Sequence, residues 1–199
     1  MKVFRYTLKD DLLYPDEHGE VLVFTDGWQV TARIGDREIT PRFHLSSGER
    51  LLLDRLKLLS KMTGVEVDPL PALAYPGKSR VLMLSKLMGA AFEEYVYLVL
   101  SSRFSVSRRP EIYTSLPKLS GRSSHNTPDL IVEGRVPVEA KVSFYNYQQI
   151  LEYSIKYPVG ALTLPFSEQC RVPPGWRCFT NLTKDRAPLL SWLDEVLLG

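Results

Sequence analysis

Thr127-Pro128-Asp129-Leu130-Ile131-Val132-Glu133-Gly134-Arg135-Val136-Pro137-Val138-Glu139-Ala140-Lys141-Val142 is the stretch on which the reading turns. Two apolar runs flank Glu133-Gly134-Arg135, and a short connection containing glycine predicts a β-hairpin. Folding there sets Val132 against Val136, Leu130 against Val138 and Asp129 against Glu139. Side chains alternate along a strand, so Leu130, Val132, Val136, Val138, Ala140 and Val142 share one face. Asp129, Glu139 and Lys141 share the other. Opposed residues of an antiparallel pair hold their Cβ atoms ~5 Å apart. Carboxylates that close repel unless one takes a proton or a cation sits between them. A hard divalent ion such as Mg²⁺ satisfies both. Lys141 then stands beside the ion, able to orient water or neutralise charge growing on a phosphate.

Working outward, Val81 to Ser101 reads as a long apolar helix interrupted by Lys86, Glu93 and Glu94, and therefore as a buried core helix. A strand from Phe104 to Arg108 and a polar loop from Pro110 to Thr127 lead into the hairpin. After it come a helix from about Asn146 to Tyr157 stopped by Pro158, a strand from Val159 to Leu164, and a last helix near Asp185 with Pro188 in its first turn. The order α-β-β-β-α-β predicts an α/β fold with a mixed central sheet flanked by helices.

Residues 1–45 read as β. Val21-Leu22-Val23-Phe24 and Trp28 to Ile34 flank the turn signal Asp26-Gly27, and Arg37 to Phe43 supplies a third strand of a meander. Ser46-Ser47-Gly48-Glu49 offers a capping box to a helix carrying Leu51, Leu52, Leu56, Leu59 and Met62, with Gly64 as its stop. Val67 to Arg80, with Pro69, Pro71, Pro76 and Gly77, is the expected border. Residues 1–75 thus form a small β-rich accessory or dimerisation domain, and 76–199 the domain that carries the chemistry.

Pro128-Asp129, nine residues, then Glu139-Ala140-Lys141 resembles the PD-(D/E)xK nuclease signature. Gly89-Ala90-Ala91-Phe92-Glu93, on the preceding helix, resembles the G-x-x-x-(E/H) element of RecB-like nucleases and archaeal Holliday-junction resolvases. Gln149-Ile150-Leu151-Glu152-Tyr153, on the following helix, is similar to the Q-x-x-x-Y element of RecB-like and CRISPR adaptation nucleases. The likeness spans roughly 81–165. It implies a restriction-endonuclease-like core and Mg²⁺- or Mn²⁺-dependent hydrolysis of DNA, in repair or recombination. Asp129, Glu139 and the Ala140 carbonyl would hold the metal, Glu93 would add a ligand directly or through water, and Lys141 would assist. Gln149 and Tyr153 would contact DNA or steady Lys141. Gly89 and Glu93, like Gln149 and Tyr153, are one helical turn apart and share a face. CRISPR adaptation nucleases of the RecB type usually carry four cysteines for an iron–sulfur cluster; this chain has two, Cys170 and Cys178. They are too few for such a cluster or a four-cysteine zinc site, and read as two reduced or half-buried thiols, with a disulfide as the alternative if the source is a hyperthermophile.

Charge does not announce a nucleic-acid partner: the net charge is +2, and the pI of about 8.5 falls below the ~9 that marks strongly basic binders. Arg103, Arg108, Arg109, Lys118 and Arg122 nevertheless gather around the approach to Asp129, a pattern suited to phosphates. Tyr113, Phe144, Tyr145 and Tyr147 are near enough in sequence to stack on unpaired bases. His18, His44 and His125 have no partner pattern, and Glu94 is the alternative to Glu93. No apolar run approaches the ~18 residues of a membrane span, and the N-terminus lacks a signal-peptide stretch, so a cytoplasmic protein is expected. Four readings stand: a DNA endo- or exonuclease, a Holliday-junction resolvase acting as a homodimer, a catalytically silent module that binds DNA or a complex, and a restriction-like defence enzyme with residues 1–66 as a recognition or dimerisation domain.

Overall fold

A computed structural model describes residues 2–9, 12–26, 29–39, 45–69, 72, 77–108, 127–143, 145–167 and 169–199. The protein is α/β. Its chain divides into two compact units, one of residues 1–61 and 66–90, the other of residues 62–65 and 91–199. The division falls inside one continuous helix, Gly77–Ser101, rather than at the proline-rich stretch around 75. The first part of this helix, through residue 90, belongs to the first unit, which uses Arg80 as described below.

In the first unit, strands β1 (Lys2–Lys9), β2 (Leu12–Pro15), β3 (Val21–Asp26), β4 (Gln29–Ile34) and β5 (Arg37–Glu38) form an antiparallel sheet ordered β2-β1-β3-β4-β5. The expected meander β3-β4-β5 is present, with Val21 opposite Ile34 and Val23 opposite Ala32. Strand β5 ends at Glu38 among the described residues, short of the expected Phe43; His44 and residues 40–43 lie outside them, as does Gly27. Strands β1 and β2 are additions, and β1 pairs with β3 through Val3–Phe24 and Phe4–Val23. Tyr6, Val21, Val23, Ala32 and Ile39 make the core of this sheet. Helix α1 (Ser47–Thr63) begins with the predicted capping box, which is reciprocal. The Ser46 N–H donates to the Glu49 carboxylate at 2.6 Å, and the Glu49 N–H donates to Ser46 Oγ at 3.3 Å. Gly64 leaves the helix with φ +73°, a conformation glycine adopts without steric cost. The other Glu49 oxygen meets Arg80 Nη1 at 3.2 Å, so an ion pair closed to solvent on both sides joins the two helices of the unit.

In the second unit, helix α2 (Gly77–Ser101, from residue 91 on) leads to β6 (Val106–Arg108), β7 (Leu130–Val132), β8 (Val136–Ala140), α3 (Tyr147–Lys156), β9 (Gly160–Thr163), β10 (Trp176–Phe179) and α4 (Ala187–Leu198). The sheet runs β10-β9-β8-β7-β6, antiparallel through β6, β7 and β8 and parallel from β8 to β10. The long helix is buried along one stripe, including Phe92, Val96 and Leu100, while Leu98 is exposed; its apolar composition overstated its burial. Strand β10 was not anticipated and forms an edge of the sheet.

Both faces of β8 are covered, and all five of its residues are buried. Ile150 and Tyr153 of α3 pack with Leu162 and Trp176 on one face. On the other, Trp192 of α4 lies against Phe179, ring centroids 5.4 Å apart. Burying Leu130, Val132, Val136 and Val138, each at most 3% exposed, contributes roughly 1.5–3 kcal/mol per side chain. Asn146 caps α3 by accepting the Gln148 N–H at 3.0 Å. Cys170 and Cys178 form a disulfide, with Cα atoms 6.2 Å apart, in place of the two thiols expected. The strand β10 brings Cys178 back beside the loop that carries Cys170, a proximity that sequence spacing does not reveal.

Candidate metal and phosphate site

The hairpin has the register that its sequence predicts: Leu130 opposite Val138 and Val132 opposite Val136. Glu133 and Gly134 hold φ values of 49° and 65°, and Arg135 donates its N–H to the Val132 carbonyl at 3.0 Å. Two successive left-handed residues are the signature of the type I′ turn, whose twist matches that of its strands. A non-glycine residue there costs about 1–2 kcal/mol. Glu133 offsets this by pairing with Ser105 through both its N–H, at 2.8 Å, and its carboxylate, at 2.6 Å.

One residue before β7, Asp129 stands beside Glu139. The Asp129 N–H donates to Glu139 Oε2 at 3.0 Å, and the Ala140 N–H donates to Asp129 Oδ2 at 3.2 Å. Each carboxylate thus takes a backbone donor from the other's strand, which fixes the pair more tightly than side-chain rotamers alone. Lys141 Nζ lies 3.3 Å from Asp129 Oδ2 and 2.5 Å from Glu139 Oε1. The contact to Asp129 is a hydrogen bond. The one to Glu139 is an ion pair, and the buried Oε1 has no further partner among the described residues. Asp129 is 3% exposed and Glu139 fully buried. A merely solvated polar strand face is thereby excluded.

Burial disfavours the charged Glu139, and the adjacent Asp129 carboxylate adds repulsion; the Lys141 ammonium offsets only part, so the Glu139 carboxyl is pushed up to about 7. Lys141 shifts upward, because the two carboxylates outweigh the burial that would favour its neutral form.

Gln149 and Tyr153 act from the helix that covers this face. The Gln149 amide donates to Tyr153 Oη at 2.8 Å, and Tyr153 Oη donates to the Thr127 carbonyl at 3.1 Å. Thr127 is two residues before Asp129, so the pair fixes the entry of the strand that carries the acid. Burial, with the Glu139 charge next, pushes the Tyr153 hydroxyl up to about 12, which keeps it a proton donor. Its ring stacks on Trp176 at 6.5 Å.

The structure therefore brings together Asp129, Glu139, Ala140, Lys141, Tyr153 and Gln149. Glu93 lies on α2; among the described residues, no group of three or more His, Cys, Asp or Glu side chains is placed to hold a metal. Helical spacing from Gly89 sets the direction of the Glu93 side chain but not its distance from the hairpin. Glu94 pairs with Arg108 at 2.7 Å, and the Arg108 guanidinium lies 3.4 Å over the Tyr97 ring. Arg108, expected to track phosphates, is thus engaged with α2, and Arg103 pairs with Asp194 at 2.6 Å. Arg109, Tyr113, Lys118, Arg122, His125 and Phe144 lie outside the described residues.

Asp129 and Glu139 suit a hard cation. The buried Glu139 Oε1, met by the Lys141 ammonium alone among the described residues, is an oxygen such an ion would satisfy. The Ala140 carbonyl would be a third oxygen, because the N–H and C=O of an extended residue leave from the same edge and the Ala140 N–H points to Asp129. Sequence reasoning missed Arg171 and its link to Tyr145: Tyr145 Oη accepts the Arg171 N–H and donates to the Arg171 carbonyl, both at 2.6 Å. Nothing in the pattern links two residues so far apart. No family model, no curated protein and no solved structure matches the chain.

Proposed function

We propose that the protein is a Mg²⁺- or Mn²⁺-dependent DNA nuclease with a restriction-endonuclease-like core. The observation that carries this is the buried pair Asp129–Glu139 on adjacent strands, with the Lys141 ammonium on both. The succession α2-β6-β7-β8-α3-β9, antiparallel over three strands and parallel between β8 and β9, supports it.

Charge arithmetic argues in the same direction. When both buried carboxylates are ionised, they and one ammonium leave −1, an unbalanced charge that a proton or a cation can offset. A divalent cation would turn that to +1, the complement of one phosphodiester. Asp129, Glu139 and the Ala140 carbonyl would hold it, and when bound it would supply an acidified water and a Lewis acid for a phosphoryl oxygen. Lys141 is then free of part of its present pairing, and its ammonium can hold a non-bridging phosphate oxygen or deliver a proton near it. Tyr153 and Gln149 keep Asp129 in place through Thr127, so they are positioning residues rather than reacting ones.

Labelled single-stranded, duplex, flapped and four-way DNA, each with Mg²⁺, Mn²⁺ or chelator, tests the reading. Cleavage that needs metal and vanishes in Asp129→Asn and Lys141→Ala is expected; cleavage that survives both substitutions refutes it. The Lys141 ammonium already paired with both carboxylates favours one second reading, a silent module with the same core. That module would bind DNA in chelator and cleave none of the four substrates. Symmetric cutting of four-way DNA by a homodimer would specify the resolvase form.

A further inference from the structure

Arg171 is built in an unusual way for a surface cation. A single hydroxyl, that of Tyr145, grips both its N–H and its carbonyl at 2.6 Å. The preceding residue, Cys170, is bonded to Cys178. Its guanidinium lies over the Tyr147 ring at 4.6 Å, a contact that orients the group while leaving its N–H edges open. Arg103 and Arg108 are both paired with carboxylates; Arg171 is exposed, and no carboxylate pairs with it among the described residues.

The sheet register says which face this ledge borders. Glu139 aligns with Leu162 on β9, and Leu162 aligns with Cys178 on β10, so the three share one row and one face. Neighbouring strands are ~4.8 Å apart, which puts Cys178 about 10 Å from Glu139 across the sheet. Tyr145, Cys170, Val172 and Cys178 all pack against the cluster of Ile150, Tyr153, Leu162 and Trp176 that covers this face. Charges along one nucleic-acid strand recur about every 3.4 Å of axis, so a strand engaged at Lys141 and passing outside α3 would bring a later phosphate toward Arg171.

We propose that Arg171, clamped by Tyr145 and aimed by Tyr147, grips the phosphodiester backbone of a nucleic-acid strand a few nucleotides from the one held at Asp129, Glu139 and Lys141. The inference rests on the nuclease reading and extends it to a binding ledge away from the reacting group. Arg171 supplies charge and a planar fork of donors; Tyr147 supplies direction.

Fluorescence anisotropy of labelled single-stranded and duplex DNA, in chelator so that no strand is cut, separates this inference from the reading beneath it. Wild type, Arg171→Gln and Arg171→Lys are titrated across a salt series, with thermal unfolding of each variant alongside. Arg171→Gln is expected to bind about fivefold more weakly and to lower the slope of log K against log salt by about 0.7 for single strands or 0.9 for duplex. Arg171→Lys keeps the slope, and both variants melt with wild type because the clamp uses backbone atoms. Equal affinity and slope for wild type and Arg171→Gln overturn the inference and leave the nuclease reading intact. A wild type that binds neither DNA overturns the inference and leaves the nuclease reading to its own cleavage test. A slope that is unchanged while melting falls makes Arg171 a structural residue and also overturns the inference.

Discussion

Replacing Glu139 by glutamine should stabilise the protein at neutral and alkaline pH while abolishing its activity. The folded state holds the Glu139 carboxyl at about 7 against an ordinary value of 4.5. Between those two values the folded chain binds more protons than the unfolded one, so stability falls as pH rises. Below about pH 4.5 the group is protonated in both states and contributes nothing; above about pH 7 the full penalty applies. At ~1.36 kcal/mol per pH unit, the span of about 2.5 units makes it roughly 3 kcal/mol. Glutamine keeps the shape and the oxygen that accepts the Asp129 N–H, loses the charge, and leaves Lys141 paired to Asp129. Unfolding in urea, in chelator at pH 5 and pH 8, reads the effect. Wild type and Glu139→Gln should differ little at pH 5, and the variant should be about 3 kcal/mol more stable at pH 8. Near ~2–4 °C per kcal/mol for a chain of this size, that is a melting difference of about 6–12 °C. Parallel pH profiles for the two proteins would show that Glu139 is no strained acid, and the charge argument for a cation site would go with it.

Metal affinity should carry the same proton. Below about pH 7 a bound cation displaces a proton from Glu139, so Mn²⁺ affinity by calorimetry should weaken about tenfold per pH unit and level off above pH 7; a flat profile refutes this. Tyr153→Phe removes the hydroxyl that joins Gln149 to the Thr127 carbonyl, and should cost about 1–2 kcal/mol in urea unfolding while lowering kcat with KM little changed. Gly160→Ala would set a Cβ 2.5 Å from Trp176 Cε2; the stacked Tyr153–Trp176 pair must then shift, and destabilisation of more than about 2 kcal/mol with altered tryptophan fluorescence is expected.

The hairpin was legible because its signals were local and mutually consistent. Gly134 fixed the turn, the alternation of Leu130, Val132, Val136 and Val138 fixed the face, and period two admits no other register once one face is apolar. The capping box at Ser46 and Glu49 was legible for the same reason. What escaped was set by distant parts of the chain. Strand β10 is four residues long, carries Arg177 in its middle and alternates too briefly to show a period. The disulfide depends on that strand's return to Cys170. Strand β1 mixes Lys2, Arg5 and Lys9 into its apolar pattern, and only pairing on both sides, with β2 and β3, gives it a place.

The same distinction explains the site. Local alternation placed Asp129, Glu139 and Lys141 on one face, but their chemistry comes from what covers that face. Without α3 overhead the two carboxylates would sit in water, where a pair of like charges at this distance is worth about 1 kcal/mol and needs no counter-ion. Under Ile150 and Tyr153 they are closed off, and the repulsion joins a desolvation penalty large enough to lift Glu139 by more than two pH units. Burial under α3 therefore leaves the two carboxylates to share either a proton or a cation. The backbone N–H groups of Asp129 and Ala140 are committed to holding the two acids in place. They cannot serve as that cation, and Lys141 supplies only half the charge that two ionised acids present. A fold that buried such an arrangement for stability alone would gain more from two apolar side chains. The cost is intelligible if the missing positive charge arrives with a divalent ion.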